Sequence, residues 1–102
     1  MNMKSSTLGT INTVVDRINM CGCRVTIPFR EPVPMKVLFD GDFSSASYIP
    51  SYPATLYIFG FPGQVAVSGL MDIEQIAGNK YVVRYGTDNQ VSDLMIKINA
   101  EE

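Results

Sequence analysis

The sequence predicts a mainly β (α+β) domain, in which an N-terminal amphipathic helix precedes about six antiparallel strands forming a small barrel or a two-layer sandwich. Three observations predict it. Leu8, Ile11, Val15 and Ile18 recur at spacings of three and four, the period of one helical face. After Gly22 the apolar period changes to two, through Cys23, Val25, Ile27 and Phe29. From Ala54 onward, short apolar runs alternate with turn sequences, the rhythm of an antiparallel meander.

The helix is expected over 7–21. Ser5, Ser6 and Thr7 offer N-cap oxygens before it, Val14 widens its apolar stripe, and Gly22 suits the C′ position. In the strand that follows, Arg24, Thr26 and Pro28 share the face opposite Cys23 and Val25, and Pro28 marks a sheet edge. Pro32 and Pro34 interrupt before a second short strand, Met35 to Phe39. All six prolines fall between positions 28 and 62. Residues 40–53, DGDFSSASYIPSYP, read as a long ordered Pro/Ser/Tyr loop, and long loops inside small domains are usually functional.

The β-meander is expected over 54–98. A strand ATLYIFGF ends at Pro62-Gly63, the central pair of a type II turn. QVAVSGLMDIEQI follows as a longer strand in which Gly69 marks a bulge or bend. AGNK turns the chain into YVVRY, and GTDNQ turns it again into VSDLMIKI.

A chain of 102 residues is one domain, 1–102, and an apolar content of 46% fills its core without staples. Charged residues amount to 18%, below the roughly 25% of an average soluble domain, and a thinly charged surface suits a second subunit or partner. The net charge is −2, and the eight Lys and Arg residues are scattered, which opposes a dominant nucleic-acid role. Glu101 and Glu102 form an acidic end. No apolar run approaches the 18 or so residues of a membrane span, and the N-terminal stretch lacks the apolar core of a secretory signal. A cytoplasmic location without membrane contact is therefore expected, with both cysteines as thiols.

Chemistry-bearing patterns are sparse. There is no histidine, which removes Ser-His-Asp and Cys-His catalysis and the commonest metal ligand. No Gly-rich loop has phosphate-binding spacing. Cys21 and Cys23 are too few for a tetrahedral metal site, so Cys23 is expected to pack inward while Cys21 closes the helix. Asp40-Gly41-Asp42 starts like a calcium loop, but Ser51 stands where that pattern needs Glu. Asp72 and Glu74 alternate with Met71 and Ile73, as on the wet face of a strand. The sequence thus predicts a protein that is not an enzyme, with no cofactor and no metal.

Aromatic residues carry the strongest functional signal. Seven of the ten lie between positions 39 and 61. In ATLYIFGF, Leu56 and Ile58 occupy one face and Tyr57, Phe59 and Phe61 the other, so both faces are apolar. A small domain rarely buries both faces of a strand, and interface cores favour Tyr and Phe. Phe43, Tyr48, Tyr52, Tyr57, Phe59 and Phe61 are therefore expected to bind a protein partner, most simply another copy in a homo-oligomer.

Two alternatives accompany this expectation. TVVDRINMCGCRVTIP, positions 13–28, resembles the swapped-hairpin motif of AbrB/MazE-type DNA-binding proteins through Arg17, Gly22, Arg24, Val25, Ile27 and Pro28, with Cys23 as an extra residue between Gly and Arg. The resemblance implies that residues 13–18 are strand, that the protein dimerises, and that its arginines, Arg17 and Arg24, contact DNA; a small DNA- or RNA-binding domain would use Arg30 as well. The other alternative is a small-ligand carrier with a pocket in a barrel mouth under the 40–53 loop.

Overall fold

The computed structural model describes residues 5–26, 41–51, 54–60, 63–87 and 89–100, apart from the side chains of Ser5 and Gly41. The N-terminal periodicity forms helix α1, Ser5–Cys21. Its buried stripe is Thr7, Ile11, Val14 and Ile18, whereas Leu8 is exposed and Val15 half-buried. Val14 thus lies at the centre of the stripe rather than at its margin. The helix ends as Gly22 takes a φ of 79° and donates its N–H to the Ile18 carbonyl at 2.7 Å. That is the left-handed C′ cap which glycine adopts without Cβ strain. Ser5, Ser6 and Thr7 lie within the helix instead of before it.

Residues 13–18 are helical, so the strand pair implied by the AbrB-type resemblance does not form. The physical reason is the apolar spacing: as a strand, Val14 and Val15 would face opposite sides, whereas the helix sets Ile11, Val14 and Ile18 on one buried side.

Eight strands follow among the described residues: β1 Cys23–Thr26, β2 Gly41–Phe43, β3 Ser45–Ile49, β4 Thr55–Gly60, β5 Gly63–Ser68, β6 Leu70–Ala77, β7 Lys80–Thr87 and β8 Gln90–Ile98. They build two sheets with antiparallel pairing throughout, a five-stranded one in the order β2-β1-β8-β7-β6 and a three-stranded one in the order β3-β4-β5. Within 40–53, residues 41–43 and 45–49 are therefore strand rather than loop. They form β2 and β3, because Asp42 and Phe43 find backbone partners on β1, and Ser45 to Ile49 find theirs on β4. The proposed strand Met35–Phe39 and the Pro62-Gly63 turn fall on or across undescribed residues.

The chain changes sheets at two corners. At the first, Ser44 separates β2 from β3 and donates its N–H to Phe59 O at 2.9 Å. At the second, Gly69 divides the long strand of the sequence into β5 and β6 with a φ of 74°. A Cβ at Gly69 would overlap the carbonyl oxygen of Gly86, so this corner combines a left-handed backbone with close strand approach. The meander of 54–98 is accordingly shared between the two sheets.

One core lies between the sheets and α1. It comprises the inward residues of β1 (Cys23, Val25), β8 (Leu94, Ile96, Ile98), β7 (Tyr81, Val83), β4 (Leu56, Ile58) and β5 (Val65, Val67), together with Phe43, Leu70 and Ile73. The alternation of these positions with exposed ones is what the period-two pattern requires of sheets with one solvated face.

Candidate interaction surface

The outward faces of the two sheets differ in chemistry. On the five-stranded sheet, register aligns Asp42, Arg24, Lys97 and Lys80 across four strands, and Asp93, Arg84 and Asp72 across three. Arg24 stands 3.9 Å from Asp42, and Arg84 stands 3.5 Å from Asp93. This is a solvated face, as expected for Asp72 and Glu74.

The three-stranded sheet has no charged residue on its outward face. The alternation sets Ser45, Ser47 and Ile49 of β3 beside Phe59, Tyr57 and Thr55 of β4, which in turn lie beside Gln64, Ala66 and Ser68 of β5. Tyr57 is half-buried and Phe59 is 37% exposed, and their rings stack at 6.2 Å with planes 12° apart. Ile49, 45% exposed, lies on the same face. Stacking along one strand buries each ring partly against the other, and small Ser and Ala neighbours leave the outer ring faces open.

The aromatic residues singled out by sequence separate into three groups. Tyr57 and Phe59 are brought together on the outward face. Phe43 is not available to a partner: it is 4% exposed and belongs to the core, because β2 turns its even and odd positions to opposite sides and Asp42 takes the wet one. Tyr48 points inward from β3 and packs half-buried against the core, where desolvation raises its phenol above its ordinary value. Tyr52 and Phe61 lie outside the described residues. Gln64, Ala66, Ser68 and Ile49 complete the face and were not anticipated. Their signal was the alternation of small or polar residues with Val65, Val67 and Ala46, which only strand pairing aligns with Tyr57.

Of the basic residues of the nucleic-acid alternative, the two that are described, Arg17 and Arg24, are not brought together. The Arg17 guanidinium donates to Gly78 O at 2.9 Å, Tyr81 Oη at 3.0 Å and Asn79 Oδ1 at 2.6 Å, and lies 5.9 Å from the Tyr81 ring centre. It is a clamp between α1 and the β6–β7 turn. Arg24 faces outward on the far side of the five-stranded sheet, and Arg30 lies outside the described residues. For the carrier alternative, a shallow depression bounded by Asp72, Glu74, Val82 and Arg84 encloses only about 30 Å³, far below the roughly 300–1,000 Å³ of ligand pockets, and it lies on the charged face of the five-stranded sheet.

Cys21 is exposed and Cys23 buried, so the two thiols do not converge. Burial, with the Asp42 carboxylate adding to it, pushes the Cys23 thiol up to about 12. Among the described residues no group of three or more His, Cys, Asp or Glu is placed to hold a metal ion, and no helix is long and apolar enough to cross a membrane. No protein-family model, curated protein or solved structure matches this chain.

Proposed function

We propose that this chain is a non-catalytic interaction or assembly module that works as a homo-oligomer, its two sheets packed as the layers of a sandwich. It meets its partner through the outward face of the three-stranded sheet. One observation carries the proposal: the stacked pair of half-buried Tyr57 and exposed Phe59 lies on a sheet face without a charged neighbour, while the charge of the other sheet lies on its own outward face. A charge-depleted aromatic centre is the composition of an interface core. Docking there removes ring surface from water without desolvating any ion.

The test is the double substitution Tyr57→Ser with Phe59→Ser, followed by light scattering on a sizing column and a thermal melt. Central aromatic anchors are worth about 2 kcal/mol or more, roughly a 30-fold loss of affinity. The assembled mass is expected to fall while cooperative melting persists, because neither ring fills the core. Loss of the folded state would mean that the rings support the core, and the proposal would fail. An unchanged assembly from folded protein would overturn it equally.

A further inference from the structure

We propose that two copies of this chain pair antiparallel along their β5 edges and join their three-stranded sheets into one six-stranded sheet. The inference deepens the assembly reading above and rests on it. A free strand edge invites pairing unless it is blocked, and proteins block edges with charge, bulges, brevity or a covering element. The described edges of the two sheets are β2, β6, β3 and β5. Strand β2 is only three residues long and includes Asp42. Strand β6 carries Asp72 and Glu74 and has register shifts at Leu70/Asp72 and Gln75/Ala77. Strand β3 is covered by α1: the Asn19 amide accepts from Ala46 N at 2.8 Å and donates to Ala46 O at 3.1 Å, in place of a neighbouring strand.

Among the described residues, none of these devices protects β5. It is six residues long, pairs with β4 without a register shift, and holds neither charge nor proline. Among the described residues, no strand pairs with its other side.

The sequence of the edge names the occupant. Gly63-Gln64-Val65-Ala66-Val67-Ser68-Gly69 is nearly the same read in either direction about Ala66. A two-fold axis at Ala66 sets Ala66 opposite Ala66 of the second copy, Val65 opposite Val67, Gln64 opposite Ser68, and Gly63 opposite Gly69. Buried valines then meet valines on the core side, and exposed polar residues meet polar residues on the outer side. An isologous contact demands this self-complementarity. Alternation fixes the register, since a one-residue slip would turn Val65 and Val67 outward. No like charges oppose each other in any register, because the strand has none.

Pairing also enlarges the interaction surface. With strands about 4.8 Å apart and residues rising about 3.3 Å, a three-stranded face five residues long covers about 240 Å², and the joined face about 480 Å². The two Tyr57–Phe59 pairs would lie on this one surface.

The experiment is disulfide trapping in a Cys21→Ser background, which removes the exposed native thiol. Directly opposed residues have Cα atoms about 4.5–5.5 Å apart, within the roughly 4.4–6.8 Å that a disulfide spans. Under mild oxidation, Ala66→Cys is expected to give a covalent dimer. Gln64→Cys alone and Ser68→Cys alone are expected to stay uncrosslinked, and their mixture to crosslink. In parallel, the unmodified chain of 11.2 kDa is expected to double its mass as concentration rises, because a six-residue edge is small beside the roughly 800 Å² per partner of a stable interface. If the protein assembles and loses assembly with Tyr57→Ser and Phe59→Ser, yet Ala66→Cys does not crosslink, the edge pairing is wrong and the face proposal stands. A monomer at every concentration would overturn both. A monomer whose β5 amides gain exchange protection only with a different protein would assign the edge to a foreign strand and overturn the second copy.

Discussion

At the scale of single residues, burial decides chemistry that the sequence leaves open. Cys21 and Cys23 differ by two positions, yet one is exposed at a helix end and the other faces the core from β1. A thiol reagent is expected to label Cys21 in the native protein and Cys23 only after unfolding, as mass spectrometry of labelled peptides would show. The Cys23 thiol also gives stability a pH dependence. It moves from an ordinary 9.0 to about 12 in the folded state. Above pH 9.0 the unfolded chain releases a proton that the folded chain retains. The stabilisation is therefore complete below pH 9.0 and is lost as pH rises towards about 12, with a slope of at most about 1.4 kcal/mol per pH unit. Urea midpoints measured at pH 8 and pH 10 should show the decline, and Cys23→Ala should flatten it. Equal slopes in both proteins would mean that Cys23 is not the titrating group. Arg17 makes the same point about burial. Its three hydrogen bonds, to Gly78 and Asn79 of the β6–β7 turn and to Tyr81 of β7, occupy the fork that a phosphate would need.

At the scale of elements, two devices shape the surface. Asn19 closes the β3 edge with both atoms of its amide, a role that helix periodicity does not reveal. Gly69 ends β5 and re-aims the chain into β6, so the strand that sequence reads as one belongs to two sheets. Gly69→Ala should cost about 1–3 kcal/mol for its left-handed backbone alone, and more for the overlap with the Gly86 carbonyl. Thermal melting is the check. A Gly69→Ala protein as stable as the original would show that the corner relaxes freely. The converse holds at residues 41–43 and 45–49, strands within a Ser-, Tyr- and Pro-rich sequence that reads as loop. Local propensity there is weak, and pairing with β1 and β4 supplied the strand conformation.

At the scale of the whole molecule, charge is segregated. The five-stranded sheet carries its ion pairs on one outward face, and the three-stranded sheet presents none on the other. Assembly through an uncharged face and edge should change little between low and high salt, because the Debye length governs only charged contacts. Binding to nucleic acid would instead fall steeply with salt. Sizing-column elution at 50 mM and 500 mM salt, with absorbance read at 260 and 280 nm, separates the two. A mass that collapses in salt, or co-eluting nucleic acid, would contradict the assignment of the surface.

The helix, the change of period at Gly22, the meander strands and the inward course of Cys23 were legible in the sequence, because each depends on residues close together along the chain. The apolar character of both faces of β4 was legible for the same reason. Tertiary structure alone decided which sheet face each aromatic ring takes: Phe43 and Tyr48 look equivalent to Tyr57 and Phe59 in composition, but strand pairing sets the first two on the core side and the last two on the outward side. It also decided how the β3 edge is closed, since that takes partners, Asn19 and Ala46, that lie 27 residues apart in sequence.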